Sequence, residues 1–372
     1  MLGGMKLERI ELIEVKSRLR FRFETSFGAE EELSKVLVIL HAEGVTGYGE
    51  ATANDDPGYS YETKDTVWEA LSRYIIPKVI GKRYATPAAL LHDVRMIRGH
   101  NMAVAALETA LWDAQAKALG VPLWQLLGGT RREIAVGASL GIQPTIEATV
   151  EIAKQHQAQG YKRLKFKIKP GWDVAPLRAV RAALPEMALT VDANSAYRLT
   201  DLRVFQALDE LGLEYIEQPL AYDDLIDHAK LQSLLKTPIC LDESIHSPED
   251  CRKALQLDAA RVINLKLGRV RGHLMARRVH DVAQSFGAPV WCGGMLELGI
   301  GRAHNLHLST LEGFSLPGDT ASASRYWFED IVTPWLDAQD GVQRLPEGAG
   351  IGVEVNHAVI DRLTVRKAVF TA

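Results

Sequence analysis

Three acidic residues stand at equal intervals, Asp192, Glu217 and Asp242, each 25 positions after the last and each closing a short apolar run. The runs read ALTVD, EYIE and ICLD, and a fourth, VINLK, ends in Lys266 a further 24 positions on. A carboxylate is a poor end for a hydrophobic strand unless something there needs negative charge, so three such ends point to a cation. Oxygen donors with no cysteine or histidine among them suit Mg²⁺, or Mn²⁺, better than Zn²⁺ or Cu²⁺. Ion pairs with nearby lysines, or helix N-cap roles, are the plainer account of one such residue and a weaker account of three at equal spacing.

Lysine is the second recurrent strand-end residue. In Lys165-Phe166-Lys167 the two-residue period sends both ammonium groups to one face, and Phe166 and Ile168 to the other. Side by side and partly desolvated, the two lysines are expected to lower each other's pKa, which suits one of them to act as a general base near neutral pH. Simple neutralisation of the acidic rim is the alternative use.

These residues need elements to position them. From about residue 131 strand-like runs (134–140, 163–168, the acid-ended runs, 289–292) alternate with helical ones (145–159, 175–183), at roughly one unit per 25 to 30 residues. Seven or so such units without a reversal imply parallel strands in a closed (β/α) barrel, a fold of the α/β class. Strand ends then surround one mouth and the three acids become neighbours. Lys266, on the sixth strand, falls opposite the second, so a substrate between them meets a lysine on each face. Gripped by its carboxylate on a metal, that substrate is set up to lose the α-proton and form an enediolate. Residues 1–130 differ: an antiparallel meander (10–15, 34–41, ending near 50) precedes helices at 62–76, 87–97 and 101–119, an α+β unit. The tail, 336–372, is not barrel-like and is expected to return to that unit.

Composition narrows the partners. The 372 residues are 47% apolar and 24% charged, ordinary for a globular protein, and the net charge of -4 offers no basic stripe for nucleic acid or an anionic membrane. A small-molecule partner is the expectation. Cys240, Cys251 and Cys292 are odd in number and lack CxxC spacing, which fits buried free thiols in a reducing compartment. No stretch suits a signal peptide or membrane span, so a cytoplasmic location is expected, with Met5 an alternative start to Met1.

Lys165-x-Lys167, Asp192-Ala193-Asn194, Glu217-Gln218-Pro219, Asp242-Glu243-Ser244 and Lys266 resemble the enolase superfamily, muconate-lactonizing subgroup. More closely, FRFETSFG (21–28), KIKPGWD (167–173), DANSAY (192–197), EQPL (217–220), CGGMLELGIGRAHN (292–305) and PGDTASASRYW (317–327) resemble the o-succinylbenzoate synthase and N-acylamino acid racemase family. The resemblance spans nearly the whole chain. It implies a (β/α)7β modified TIM barrel under an α+β capping domain built from the N-terminal unit and the tail. It makes Asp192, Glu217 and Asp242 the Mg²⁺ ligands, Lys167 and Lys266 the acid/base pair, Lys165 a residue that tunes Lys167, and Asn194 and Glu243 orienting groups around them. The activity implied is o-succinylbenzoate synthase, the dehydration step of menaquinone biosynthesis, or N-acylamino acid (N-succinylamino acid) racemase, or both.

Substrate contacts are expected from the lid segments 23–28 and 53–61, with Phe23, Phe27, Tyr59 and Tyr61, and from the loop 293–297, with Gly293, Met295 and Glu297. Ser139 is a candidate to hydrogen-bond an acyl group, while His304 and His307 read as structural. Arg271 stands where relatives tend to have glycine. A histidine-based mechanism like that of mandelate racemase does not fit Lys266, and a non-catalytic carboxylate-binding barrel would not need a lysine on each face. A homo-oligomer is implied by the resemblance alone.

Overall fold

The largely alternating strand Arg9–Glu24 and the strand Ala29–Ala42, with its continuous apolar run Val36–Leu40, build the first sheet of the computed structural model, which describes residues 3–372. Met1, one of the two candidate starts, lies outside the described residues. The sheet is antiparallel, in the order Thr364–Thr371, Arg9–Glu24, Ala29–Ala42, Val45–Ala51. Its edge strand therefore comes from the far end of the chain, running from Thr371 opposite Arg9 to Thr364 opposite Val15.

Both faces of this sheet are buried. Ile10, Leu12, Val36, Val38 and Leu40 share a core with Met102, Ala103, Val104 and Ala106 of the helix Asn101–Leu119. Ile13, Val15, Leu37 and Ile39 point the other way and join the core of the barrel. The helix lies close on the strand Val45–Ala51 because Gly47 and Gly49 lack side chains; a Cβ there would stand 2.0 Å from the Ala110 carbonyl oxygen and 1.9 Å from that of Ala106 respectively. Of the other helices expected here, one runs Lys64–Glu69 and passes through a π-helical turn, Ala70–Ile75, into Ile76–Val79, where Pro77 has no N–H for an α-helical bond. The other, Pro87–Asp93, stops at Val94, short of residue 97.

Seven parallel strands follow in chain order: Ala138–Leu140, Leu164–Lys167, Leu189–Asp192, Ile216–Glu217, Ile239–Leu241, Val262–Leu265 and Val290–Cys292. The run expected at 134–140 is split, and its first part, Glu133–Ala135, pairs antiparallel with Val342–Arg344. Gly318 and Asp319 close the ring. The Gly318 carbonyl accepts from Gly137 N at 2.8 Å on one side, and Asp319 N donates to the Cys292 carbonyl at 2.9 Å on the other. Inside the ring an apolar floor of Tyr215, Cys240, Val262 and Trp291 underlies the charged residues. Outside it Phe166 and Ile168 pack with the helix residues Leu177 and Val180. Thr145, Asp173, Asp224 and Ser247 each cap the N-terminus of an outer helix. All three cysteines are buried free thiols, and among the described residues no helix is long and apolar enough to cross a membrane.

Candidate functional site

Register brings the strand-end residues together. Lys167 lies opposite Asp192 and Asp192 opposite Glu217, so three charged side chains share one level of the ring. Cys240 lies opposite Glu217, and Asp242, two residues on, faces the same way one step nearer the mouth. Lys266 follows Leu265, which pairs with Cys292.

The side chains form one buried network. Lys167 Nζ donates to Asp192 Oδ2 at 2.6 Å and Asn194 Oδ1 at 2.8 Å. Lys165 Nζ lies 2.9 Å from Glu217 Oε2, 3.4 Å from Asp192 Oδ2 and 2.7 Å from Asp319 Oδ2. Lys266 Nζ lies 2.9 Å from Asp242 Oδ2 and 3.4 Å from Met295 Sδ. Asp242 Oδ1 accepts from the Tyr59 hydroxyl at 2.9 Å and from Arg269, while Asn264 donates to Glu217 Oε1 at 2.7 Å. The carboxylates are thus turned onto ammonium groups in this arrangement.

Their charges nevertheless strain against one another. Burial, then Asp192 beside it, pushes Glu217 up to about 8, and burial, then Asp242, pushes Glu243 to about 7. Asp242 is held well below the usual carboxylate range, since Lys266 and Arg269 together outweigh its burial. Asp242 Oδ2 faces Lys266 without hydrogen-bond geometry, and Glu243 Oε2 is buried with no partner. A buried, oxygen-only, acid-rich rim with orphaned lone pairs has the donor chemistry of a hard divalent cation site.

Lys165 corrects the expected mutual lowering. Burial does lower its pKa, but Asp319, Glu217 and Asp192 together hold it well above the ordinary lysine value. Asp319 is the residue the strand pattern misses: its strand is one bridge long and has no apolar run before it, although PGDTASASRYW contains it. Lys266 is likewise raised; Asp242 overrides burial, and the Tyr59 ring sits 4.1 Å from its Nζ.

Lys167 and Lys266 both line two adjoining cavities, of about 50 Å³ and 60 Å³. Phe23 lines both; Ser139 and Glu297 belong to the first, and Asn194, Met295, Phe27 and Tyr59 to the second. Glu243 accepts from Asn194 Nδ2 at 2.9 Å. Two expected contacts lie elsewhere. Tyr61 is half exposed and stacks on His246, with ring centroids 6.3 Å apart, because the chain bends at Tyr61 and directs it outward. Gly293 makes room for Lys266: a Cβ there would stand 2.2 Å from Asn264 Oδ1 and 2.8 Å from Lys266 Cε. His304 bridges His273 and the Tyr48 carbonyl, and His307 bridges Trp124 N and the Ile351 carbonyl, both structural positions. Arg271, at a left-handed φ of 77°, ties the sixth loop to the N-terminal unit through the carbonyls of Val94, Ile97 and Gly99.

A closed ring of parallel strands under a separate antiparallel sheet, with acids and lysines at the C-terminal ends of the strands, is the fold of the enolase superfamily. Residues 9–128 match the mandelate racemase / muconate lactonizing enzyme N-terminal domain and residues 148–359 the enolase C-terminal domain-like family, and the chain belongs to this family. It is 51% identical to an o-succinylbenzoate synthase of Geobacillus kaustophilus, over 97% of this chain and 96% of that one. It is 52% identical to an N-succinylamino acid racemase of Thermus thermophilus, over 97% and 98%. A crystal structure of an enolase superfamily member from Listeria innocua superposes with a TM-score of 0.95 at 37% identity, over 99% of each chain. The family expected from the motifs is the family found.

Proposed function

We propose that the protein removes the proton α to a carboxylate of a small-molecule substrate, giving an enediolate. The observation that carries this is the placement of Lys167 and Lys266 on a shared cavity, each reaching it from a different side of the ring. The reaction is the dehydration of o-succinylbenzoate synthase, in menaquinone biosynthesis; the second activity is N-succinylamino acid racemisation, favoured by the same pair of lysines and by the racemase relative.

In the dehydration Lys167, entering neutral, takes the α-proton; the C–O bond to the β-hydroxyl then breaks, and the same proton leaves with it as water. Lys266 stays cationic beside the enediolate. In racemisation Lys167 takes the proton from one face and the Lys266 ammonium returns one to the other, so each direction starts with one lysine neutral and one protonated. Lys165, fixed among Asp319, Glu217 and Asp192, sets the field at Lys167. Asn194, held by Glu243, orients Lys167. Asp192, Glu217 and Asp242 are the residues that would hold a divalent cation, Mg²⁺ or Mn²⁺, which would supply Lewis-acid stabilisation of the carboxylate's developing charge.

The same proposal divides the chain into a capping unit at 1–130, a catalytic barrel at 131–335 and a segment at 336–372 that completes the cap. The net charge and free thiols support a cytoplasmic enzyme with no nucleic-acid or membrane partner, and the family supports a homo-oligomer.

In D₂O with Mg²⁺, the protein is expected to exchange the α-proton of N-succinylamino acids. An untouched α-proton together with no dehydration would overturn the proposal. Lys266→Arg is expected to remove racemisation while sparing part of the dehydration, because the latter needs only the charge; undiminished rates of both would contradict the assigned roles.

A further inference from the structure

The cavity between Lys167 and Lys266 has two unlike halves. Towards the cap its wall is mostly apolar, with Phe27, Leu33, Tyr59 and Met295, and its polar groups there are Thr25, Glu30 and Asn54. Towards the helix Gly299–Leu308 it carries the charged groups Glu297, Arg302 and Asp319 and the hydroxyl of Ser139, beside Phe23, Leu296 and Tyr326.

The charges of the polar half are mostly spoken for. Asp319 is taken by Lys165 at 2.7 Å and Arg163 at 2.8 Å. Glu297 accepts from Asn305 at 2.9 Å and acts on Lys35 across the cap seam. Arg302 is the exception. It is 2% exposed, its Nη1 donates to the Ala321 carbonyl, and its Nε is buried with no partner. Among the described residues it enters no ion pair. Asp330, an acid that feels its charge, accepts the N–H groups of Gly299 and Ile331 on Oδ1, and its buried Oδ2 has no hydrogen-bond partner; among the described residues it forms no ion pair with Arg302. The Tyr326 ring, 5.5 Å from the guanidinium carbon, gives it a flat support. A buried guanidinium with an unsatisfied donor is costly unless an anion completes it, and its planar fork matches a carboxylate.

We propose that Arg302 binds a second carboxylate of the substrate, the terminal carboxylate of a dicarboxylic acyl chain, and so sets the acyl preference. The apolar half then receives the amino-acid side chain. This rests on the proposal that the substrate is held by its α-carboxylate between the two lysines. The orientation follows from charge: of the two halves, the one lined by Arg302 adds a cation that enters no ion pair among the described residues, whereas Lys167 and Lys266, common to both, are paired with Asp192 and Asp242.

The test compares N-succinyl and N-acetyl derivatives of one amino acid, reading α-proton exchange in D₂O for the wild type, Arg302→Met and Arg302→Lys. Arg302→Met is expected to lower the ratio of kcat/KM for the succinyl over the acetyl compound by on the order of tenfold or more, chiefly through KM. Arg302→Lys, which keeps the charge but loses the fork, is expected to give an intermediate ratio. Equal losses on both compounds, or none, would overturn the role of Arg302. If Arg302→Met fails to fold by circular dichroism, Arg302→Lys decides alone, and a wild-type ratio in it overturns the role. Wild-type protein that exchanges neither derivative would remove the underlying activity instead, and this is seen before any variant is made.

Discussion

Two groups of buried carboxylates, at the barrel mouth and at the seam with the cap, meet different partners. At the barrel mouth Asp192, Glu217 and Asp242 face the ends of lysine and arginine side chains. At the seam between barrel and cap, Glu50 accepts from the N–H groups of Leu298 and Gly301 at 2.9 and 2.8 Å, and Glu108 from those of His273 and Leu274, both at 2.9 Å. Each seam carboxylate thus caps a barrel helix, Gly299–Leu308 or His273–Ser285, that has no side-chain cap of its own. Backbone amides neither move nor titrate, so the seam acids act as bolts. An ammonium group on four methylenes can swing away, so the rim acids can change partner, as cation binding and proton transfer require. Burial drives Glu50 up to about 8 and Glu108 to about 7; at the rim Asp192 and Asp242 are held down by their cationic partners despite burial, while Glu217, buried beside Asp192, is pushed up to about 8.

The comparison breaks first, if it breaks, at Lys167. Lys167→Ala is expected to lower kcat by roughly a thousandfold or more while leaving the thermal midpoint within a few degrees. A collapse of the fold in that variant would make the rim structural too. Glu108→Ala should do the reverse, removing about 2 to 4 kcal/mol of stability in urea titrations while the folded fraction turns over within a few-fold of wild type.

Smaller but more pointed is the pH dependence. Glu108 has a folded pKa of about 7 against an ordinary 4.5, so its contribution is full below 4.5 and is lost as the pH rises through about 7. The stability advantage of wild type over Glu108→Gln is therefore expected to shrink between about pH 5 and 8, as read from urea midpoints; a constant difference would show that Glu108 does not titrate in that window. Least of all should change in Arg271→Gly. Losing the bonds to three cap carbonyls is offset by relief of the left-handed backbone, and a net effect within about 1 kcal/mol is expected.

The ring of strands and its acidic rim are legible in the sequence because both follow from local period: side chains alternate along a strand, and βα units repeat at a fixed pitch. What is not legible depends on contacts without a period. Asp319 sits on a strand too short to leave an apolar run, so the partner that fixes Lys165 is invisible. Tyr59 and Tyr61 stand in one irregular segment, and only its bend decides which faces Asp242. Glu50 and Glu108 read as ordinary polar positions on a strand and a helix, since the helix termini they cap are about 250 and 165 residues away. Arg302 lies inside a quoted motif, yet nothing in the motif tells that its Nε has no partner.

The edge strand Thr364–Thr371 has a consequence for how the molecule forms. Arg366 pairs with Glu14 across 352 residues of chain, so the first sheet closes a loop that contains nearly everything else. Closing so long a loop is slow relative to local structure, and it is made cheaper when the intervening chain is already compact. The ring is therefore expected to condense before the first sheet gains its outer strand, which pulse-labelled hydrogen exchange would show as later protection of residues 364–371 than of the barrel strands. Until then the residues around Ile10 to Val15 present an open β edge, the point in the folding reaction most exposed to pairing with a second chain.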